Sequence, residues 1–307
     1  MPLSEAPSGP TDNDNYVDAV HDRGLRFDLG TLSRRRALAL FGSAGLVGLA
    51  GCATGTGISG APTPGSGTTT EVASPATAGA TAVGGNATAA RASGTATTEC
   101  VAEVPDETAG PFPGDGSNGA NALTTSGVVR NDIRSSFAGA TGIAVGVPLT
   151  LRLTVLADAC KPMAGAAVYV WHCDREGGYS MYSAAVRHEN YLRGVAATDA
   201  AGTVEFTSIF PGCYAGRWPH IHFQVFESLG AATSGRREIV KTSQIAFPED
   251  ACRAAYAADG YDTSVSNLSR TSLRADGIFR DDGGARQMAT MSGSNARWTA
   301  ALTVTVN

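Results

Sequence analysis

Between residues 147 and 156 the chain alternates Val147, Leu149, Leu151, Leu153 and Val155 with polar or small neighbours. That period of two is the pattern of a strand with one buried face. Residues 166–172 read as a second, more apolar strand, and further runs follow at 202–208, 220–226 and 239–247. The last run, 301–306, again alternates clearly. Helical signal is confined to 248–258, where Glu249 and Asp250 stand in a first turn ahead of Ala-rich residues. Short strands separated by turn signals predict an all-β fold, a β-sandwich with long functional loops and little helix.

The pattern fails upstream. Residues 53–98 are nearly all Ala, Thr, Gly, Ser and Pro, too poor in large apolar side chains to offset the entropy of ordering them. They are expected to form a flexible tether. Before them, Ser33-Arg34-Arg35-Arg36 leads into a short apolar stretch that ends in Leu49-Ala50-Gly51-Cys52. This resembles a twin-arginine export signal closed by a lipoprotein cleavage box. The expected organisation is therefore a signal peptide over 1–51, a lipidated Cys52 with its linker over 52–98, and one domain over 99–307. Such a protein is exported by the twin-arginine route. It is extracytoplasmic, and it meets a membrane only through the lipid on Cys52 or is released.

Composition narrows the partners. With a formal net charge of -5 and only one dense basic run, Arg34 to Arg36, the chain lacks the basic excess of a nucleic-acid binder. Of six cysteines, five remain if Cys52 is lipidated, which allows at most two disulfides. Cys100 with Cys160 is the first pair expected.

Candidate chemistry concentrates in Phe210-Pro-Gly-Cys-Tyr-Ala-Gly-Arg-Trp-Pro-His-Ile-His-Phe-Gln-Val225. His220 and His222, two apart on one strand, point to the same side, a metal-ligand spacing. Tyr214 lies on a loop opened by Pro211-Gly212, and Arg217 stands between it and the histidines. A phenolate is a hard anionic donor that suits a hard, highly charged ion such as ferric iron. A second phenol, Tyr179, follows the turn Arg175-Glu-Gly-Gly178 at a strand end. Other candidates have plainer readings. Tyr182, Tyr191, Tyr256 and Tyr261 read as packing or hydrogen-bonding residues, His172 as a buried hydrogen-bonded histidine and His188 as exposed. Cys173, Cys213, Asp199 and Glu205 read as structural.

Taken together these residues resemble the intradiol ring-cleavage dioxygenases, the family of catechol, protocatechuate and hydroxyquinol dioxygenases. The resemblance extends over Glu107-Thr-Ala-Gly-Pro-Phe112, Val129-Arg-Asn-Asp-Ile-Arg134, residues 166–180, Tyr191-Leu-Arg-Gly194, Thr198-Asp-Ala-Ala-Gly202 and residues 210–225. It implies that Tyr179, Tyr214, His220 and His222 bind one non-haem Fe(III). It further implies that a catechol-type diol and O2 are the substrates and that a muconate-type diacid is the product. Tyr214 is then also a base for the substrate, Arg217 stabilises charge on the ring, and Gln244 lies near it, with residues 228–238 as an inserted loop. Thr108, Gly110, Pro111 and Phe112 resemble the segment lining the substrate pocket. The alternative is a non-catalytic, lipid-anchored β-sandwich that binds phenolics, polysaccharide or metal.

Overall fold

A computed structural model describes residues 101–306. The expected export signal, Cys52, the expected linker and Cys100 lie outside the described residues. Strand β1 (Pro148–Ala157) buries Leu149, Leu151, Leu153 and Val155 and turns Arg152 to solvent, as the alternation requires. One edge of β1 pairs antiparallel with β5 (Thr203–Ile209) and, at its end, with the two-residue β2 (Lys161–Pro162). The other edge runs parallel to β9 (Arg297–Thr305), which carries the antiparallel edge strand β8 (Thr290–Ser294).

The second sheet has the order β4 (Arg193–Ala197), β3 (Ala167–Trp171), β6 (His220–Phe226), β7 (Ile239–Ala246), with every pair antiparallel. Its inner face sends Val168, Val170, Ile221, Phe223, Val225 and Ile245 against Leu149, Leu151, Leu153 and Phe206 of the first sheet. Each such side chain taken out of water contributes about 1.5–3 kcal/mol before ordering costs. The opposite face is buried as well, beneath loops, in a cluster built on Tyr169, Trp171, Tyr179, Tyr214 and Phe112. Two buried faces explain why β3 is apolar throughout and why every residue of β6, its polar His220, His222 and Gln224 included, is buried.

Three departures from the sequence expectation concern elements of weak local signal. The expected helix appears as α2 (Glu249–Ala255), but helix is not confined to it: α1 (Leu229–Thr233) occupies the β6–β7 connection and α3 (Asp262–Leu268) follows α2. The sequence of α3, Asp-Thr-Ser-Val-Ser-Asn-Leu, is made mostly of poor helix formers. Tertiary bonds hold it: the Ser264 hydroxyl donates to the Arg175 carbonyl at 2.7 Å and accepts from the Cys213 N–H at 2.9 Å, and Leu268 is buried. Strands β4 and β8 also lack alternation, β4 because four of its five residues are buried and β8 because it is a largely exposed edge. The C-terminal strand starts at Arg297, earlier than the run at 301–306 suggests.

Cys160 is disulfide-bonded. Cys173, Cys213 and Cys252 are free and buried, as structural thiols would be. Burial pushes the Cys213 thiol up to about 12. Among the described residues no helix is long and apolar enough to cross a membrane.

Candidate metal centre

Strand register assembles the floor of the site. Gln244 of β7 lies opposite His222 of β6, His222 opposite Trp171 of β3, and Trp171 opposite Arg193 of β4, so one row of side chains crosses all four strands. The Trp171 indole stacks on the His222 ring, 4.9 Å between centroids and 6° from parallel. His220, two residues back on the same face, meets the His222 ring edge-on at 4.7 Å between centroids.

Two loops bring the tyrosines to this floor. Asp174 organises the first: its Oδ1 accepts from the N–H groups of Glu176 (3.0 Å) and Gly178 (2.9 Å), and its Oδ2 from the Tyr191 hydroxyl (3.1 Å). That tight turn presents Tyr179. The second loop, residues 210–214, is held by the helices behind it. Tyr261 donates to the Phe210 carbonyl at 2.8 Å, Tyr256 to that of Pro211 at 3.0 Å, and Asn267 to that of Cys213 at 2.8 Å. The loops touch at Gly212, where a β-carbon would lie 2.4 Å from the Asp174 carbonyl oxygen. Only glycine permits that approach.

All four expected ligands come together. Nε2 of His220 is 3.1 Å from Nε2 of His222 and 3.3 Å from the Tyr214 hydroxyl. The Tyr179 ring meets that of Tyr214 edge-on at 5.7 Å and that of His222 at 6.4 Å. Nδ1 of His220 faces the Trp218 carbonyl at 2.5 Å, which assigns the proton to Nδ1 and the lone pair to Nε2. The Tyr179 hydroxyl and His222 Nδ1 are buried and make no hydrogen bond among the described residues. Burial pushes the Tyr179 phenol well above its usual range, and neighbouring Tyr214 raises it further. Burial likewise holds His220 and His222 well below the usual imidazole range, with Arg217 acting in the same direction. Neutral imidazole lone pairs and a buried, unbonded phenol converging on one point fit a cation. Donor separations near 3 Å are what two adjacent ligand bonds of roughly 2.0–2.1 Å produce.

Arg217 flanks the cluster, wholly buried. It donates to the Gln244 side-chain oxygen at 2.6 Å, and its Nη1 lies 3.5 Å from the Tyr214 hydroxyl. Gln244 in turn donates to the Thr108 carbonyl at 3.0 Å. The segment expected to line a pocket is therefore at the site. Gly110 donates its N–H to the Thr108 hydroxyl at 3.0 Å, the Pro111 carbonyl accepts from Asn118 at 2.6 Å, and Phe112 packs on Tyr179 at 4.9 Å. Sequence reasoning missed Asp276, whose Oδ2 accepts from Arg217 Nε at 3.0 Å. It also missed the role of Asp174 as organiser of the Tyr179 turn.

The residues given plainer readings behave so. His172 is buried, with Nδ1 2.7 Å from the Cys173 carbonyl and Nε2 2.7 Å from the Ser208 hydroxyl. Tyr182 accepts from the Gly114 N–H at 2.9 Å. His188 is exposed. Asp199 caps its own turn, and Glu205 pairs with Arg152 on the surface.

Comparison with known proteins bears on the family of the chain. Catechol 1,2-dioxygenase 1 of Acinetobacter lwoffii is 32% identical over 97 residues, which cover 25% of this chain and 31% of that protein. The chain thus matches under a third of that relative's length. Among solved structures, an intradiol ring-cleavage dioxygenase from Tetranychus urticae is 26% identical, covering 59% of this chain and 87% of that one with a TM-score of 0.48. The dioxygenase domain of a dioxygenase carbohydrate-binding protein fusion from Streptomyces sp. SirexAA-E is 21% identical, covering 67% and 98% with a TM-score of 0.43. The dioxygenase family model matches residues 129–289, just over half of the sequence and every proposed ligand. On that match, the chain belongs to the family of intradiol ring-cleaving dioxygenases.

Proposed function

We propose that this protein is a non-haem Fe(III) enzyme that cleaves a catechol-type diol between its two hydroxyl-bearing carbons, adding both atoms of O2 to give a muconate-type diacid. The observation that carries the reading is the cluster of the Tyr214 hydroxyl with the Nε2 atoms of His220 and His222 beside Arg217, with the buried Tyr179 phenol edge-on to Tyr214 and His222. Tyr179, Tyr214, His220 and His222 hold the metal in this reading. When bound, ferric iron would supply Lewis acidity there, favouring the phenolate form of Tyr179 that burial opposes and making an electron-rich diol reactive toward O2.

The remaining roles belong to the chain. Tyr214, its phenol oxygen between His220 and Arg217, would in its phenolate form accept a proton from the incoming diol and become the neutral phenol. The Arg217 guanidinium is a fixed, dry positive charge at the place where negative charge builds on a ring oxygen. Gln244 holds the outer edge of that guanidinium and ties it to the backbone of Thr108. Phe112, tilted against Tyr179 and Tyr182, supplies an apolar wall for a flat ring. Export by the twin-arginine route, with Cys52 lipidated, belongs to the same proposal and rests on residues 33–52.

The deciding experiment is the visible spectrum of the purified ferric protein, recorded before and after anaerobic addition of catechol. A red-brown tyrosinate band that moves to longer wavelength, followed by its return and a diacid product on admitting O2, is the expected result. A protein that stays colourless with ferric iron overturns the reading and favours a binding module.

A further inference from the structure

Asp276 stands 59 residues from Arg217 in sequence, in none of the motifs that mark the site, and its side chain is fully buried. Both carboxylate oxygens are occupied. Oδ2 accepts from Arg217 Nε at 3.0 Å and from the Trp218 N–H at 2.6 Å, while Oδ1 accepts from the N–H groups of Ile278 at 2.8 Å and Phe279 at 3.2 Å. Four donors on one carboxylate compensate a charge removed from water. A guanidinium carries its five N–H groups in one plane, so a bond at Nε fixes the roll of that plane about the side-chain axis. With the roll fixed, Nη2 meets Gln244 and Nη1 faces the Tyr214 hydroxyl. The same carboxylate anchors Trp218, whose carbonyl sets the His220 tautomer, and it folds the turn that brings Phe279 to 6.4 Å from the His220 ring.

We propose that Asp276 is the positioning residue of this site, setting the plane of the Arg217 guanidinium from behind. This role deepens the function proposed above and rests on the part Arg217 plays in it. Asparagine cannot substitute. Whichever way its amide is turned, the NH2 group faces either the Arg217 and Trp218 donors or those of Ile278 and Phe279.

Two measurements test the proposal. In metal-free wild-type protein, the 15N NMR signal of Arg217 Nε–H is expected to exchange with solvent far more slowly than those of exposed arginines; exchange at the exposed rate overturns the pairing. In ferric protein, Asp276→Asn is expected to lower kcat per iron by roughly 10- to 100-fold with KM and the tyrosinate band near wild type. Asp276→Glu, which keeps the charge, should recover part of the loss. In an Arg217→Gln background, Asp276→Asn should cost clearly less in kcat than it does alone, since only its bonds to the Trp218, Ile278 and Phe279 N–H groups are then left to lose. If Asp276→Asn lowers only the thermal midpoint, or its loss of kcat adds in full to that of Arg217→Gln, Asp276 is structural and the proposal fails. If Asp276→Asn does not fold, Asp276→Glu replaces it in the same cycle, with a smaller loss expected. A wild type that is colourless and inactive sinks the proposed reaction, while the NMR measurement still decides the pairing.

Discussion

Nδ1 of His220 donates to the Trp218 carbonyl at 2.5 Å, leaving Nε2 as a lone pair that faces Nε2 of His222 at 3.1 Å. A ring fixed in this way has the tautomer that a metal-ligating Nε2 requires. His220→Ala should therefore reduce bound iron by at least ~10-fold, since even loss of a residue supporting a ligand costs that much. Iron content per folded protein, measured by elemental analysis beside far-UV circular dichroism, checks it; retention of stoichiometric iron removes His220 from the ligand set.

Tyr179 gives a prediction with opposite signs in two states. Its hydroxyl is buried without a hydrogen bond among the described residues, so Tyr179→Phe should leave the metal-free protein as stable as wild type or more stable, by up to about 1–3 kcal/mol. The ferric protein should lose iron and part of its tyrosinate absorption. Denaturant unfolding and a visible spectrum read the two effects separately, and an unaltered spectrum argues against Tyr179 as a ligand.

Backbone contact between the two tyrosine-bearing loops is tested at Gly212. A β-carbon there meets the carbonyl oxygens of Asp174 at 2.4 Å and Arg175 at 2.8 Å, so Gly212→Ala should destabilise by about 1–3 kcal/mol and weaken iron binding as the loops part. Gly230→Ala is the control. Its β-carbon in α1 meets only the Ser228 hydroxyl at 3.7 Å, and alanine should be neutral or stabilising by roughly 0.5–1 kcal/mol.

His172 predicts a pH dependence. Burial holds its pKa down to about 4, against 6.5 for an ordinary imidazole, with the Cys173 carbonyl pulling the other way. Between those values the unfolded chain binds a proton that the folded chain does not. Its contribution is therefore complete above pH 6.5, falls as the pH drops, and levels off near pH 4, a total of about 3 kcal/mol. Unfolding free energies at several pH values should show a shallower slope in His172→Gln than in wild type. Equal slopes would mean that His172 does not titrate in this way.

Much of the site was legible because its chemistry is local. Tyr214, Arg217, His220 and His222 fall within nine consecutive residues, and the period of a strand alone puts both histidines on one side. Gln244 was harder to place, because residues 228–238 lengthen the interval from His222. Antiparallel pairing of β6 with β7 sets it directly opposite His222 whatever that loop contains. Helix α3 gave no signal at all, since its Ser264 and Asn267 are poor helix formers that serve the 210–214 loop.

The sequence by itself determined most of the sandwich strands, the types of the candidate ligands and the side of β6 on which two of them stand. These follow from backbone stereochemistry and side-chain chemistry, which act between near neighbours in the chain. Only the tertiary structure decided that Asp276 anchors Arg217, that Asp174 builds the turn under Tyr179, and that Gly212 lets the two loops meet. A carboxylate finds its buried partner through space, across 59 residues here, and nothing in local spacing records which of several acids the fold will bring there.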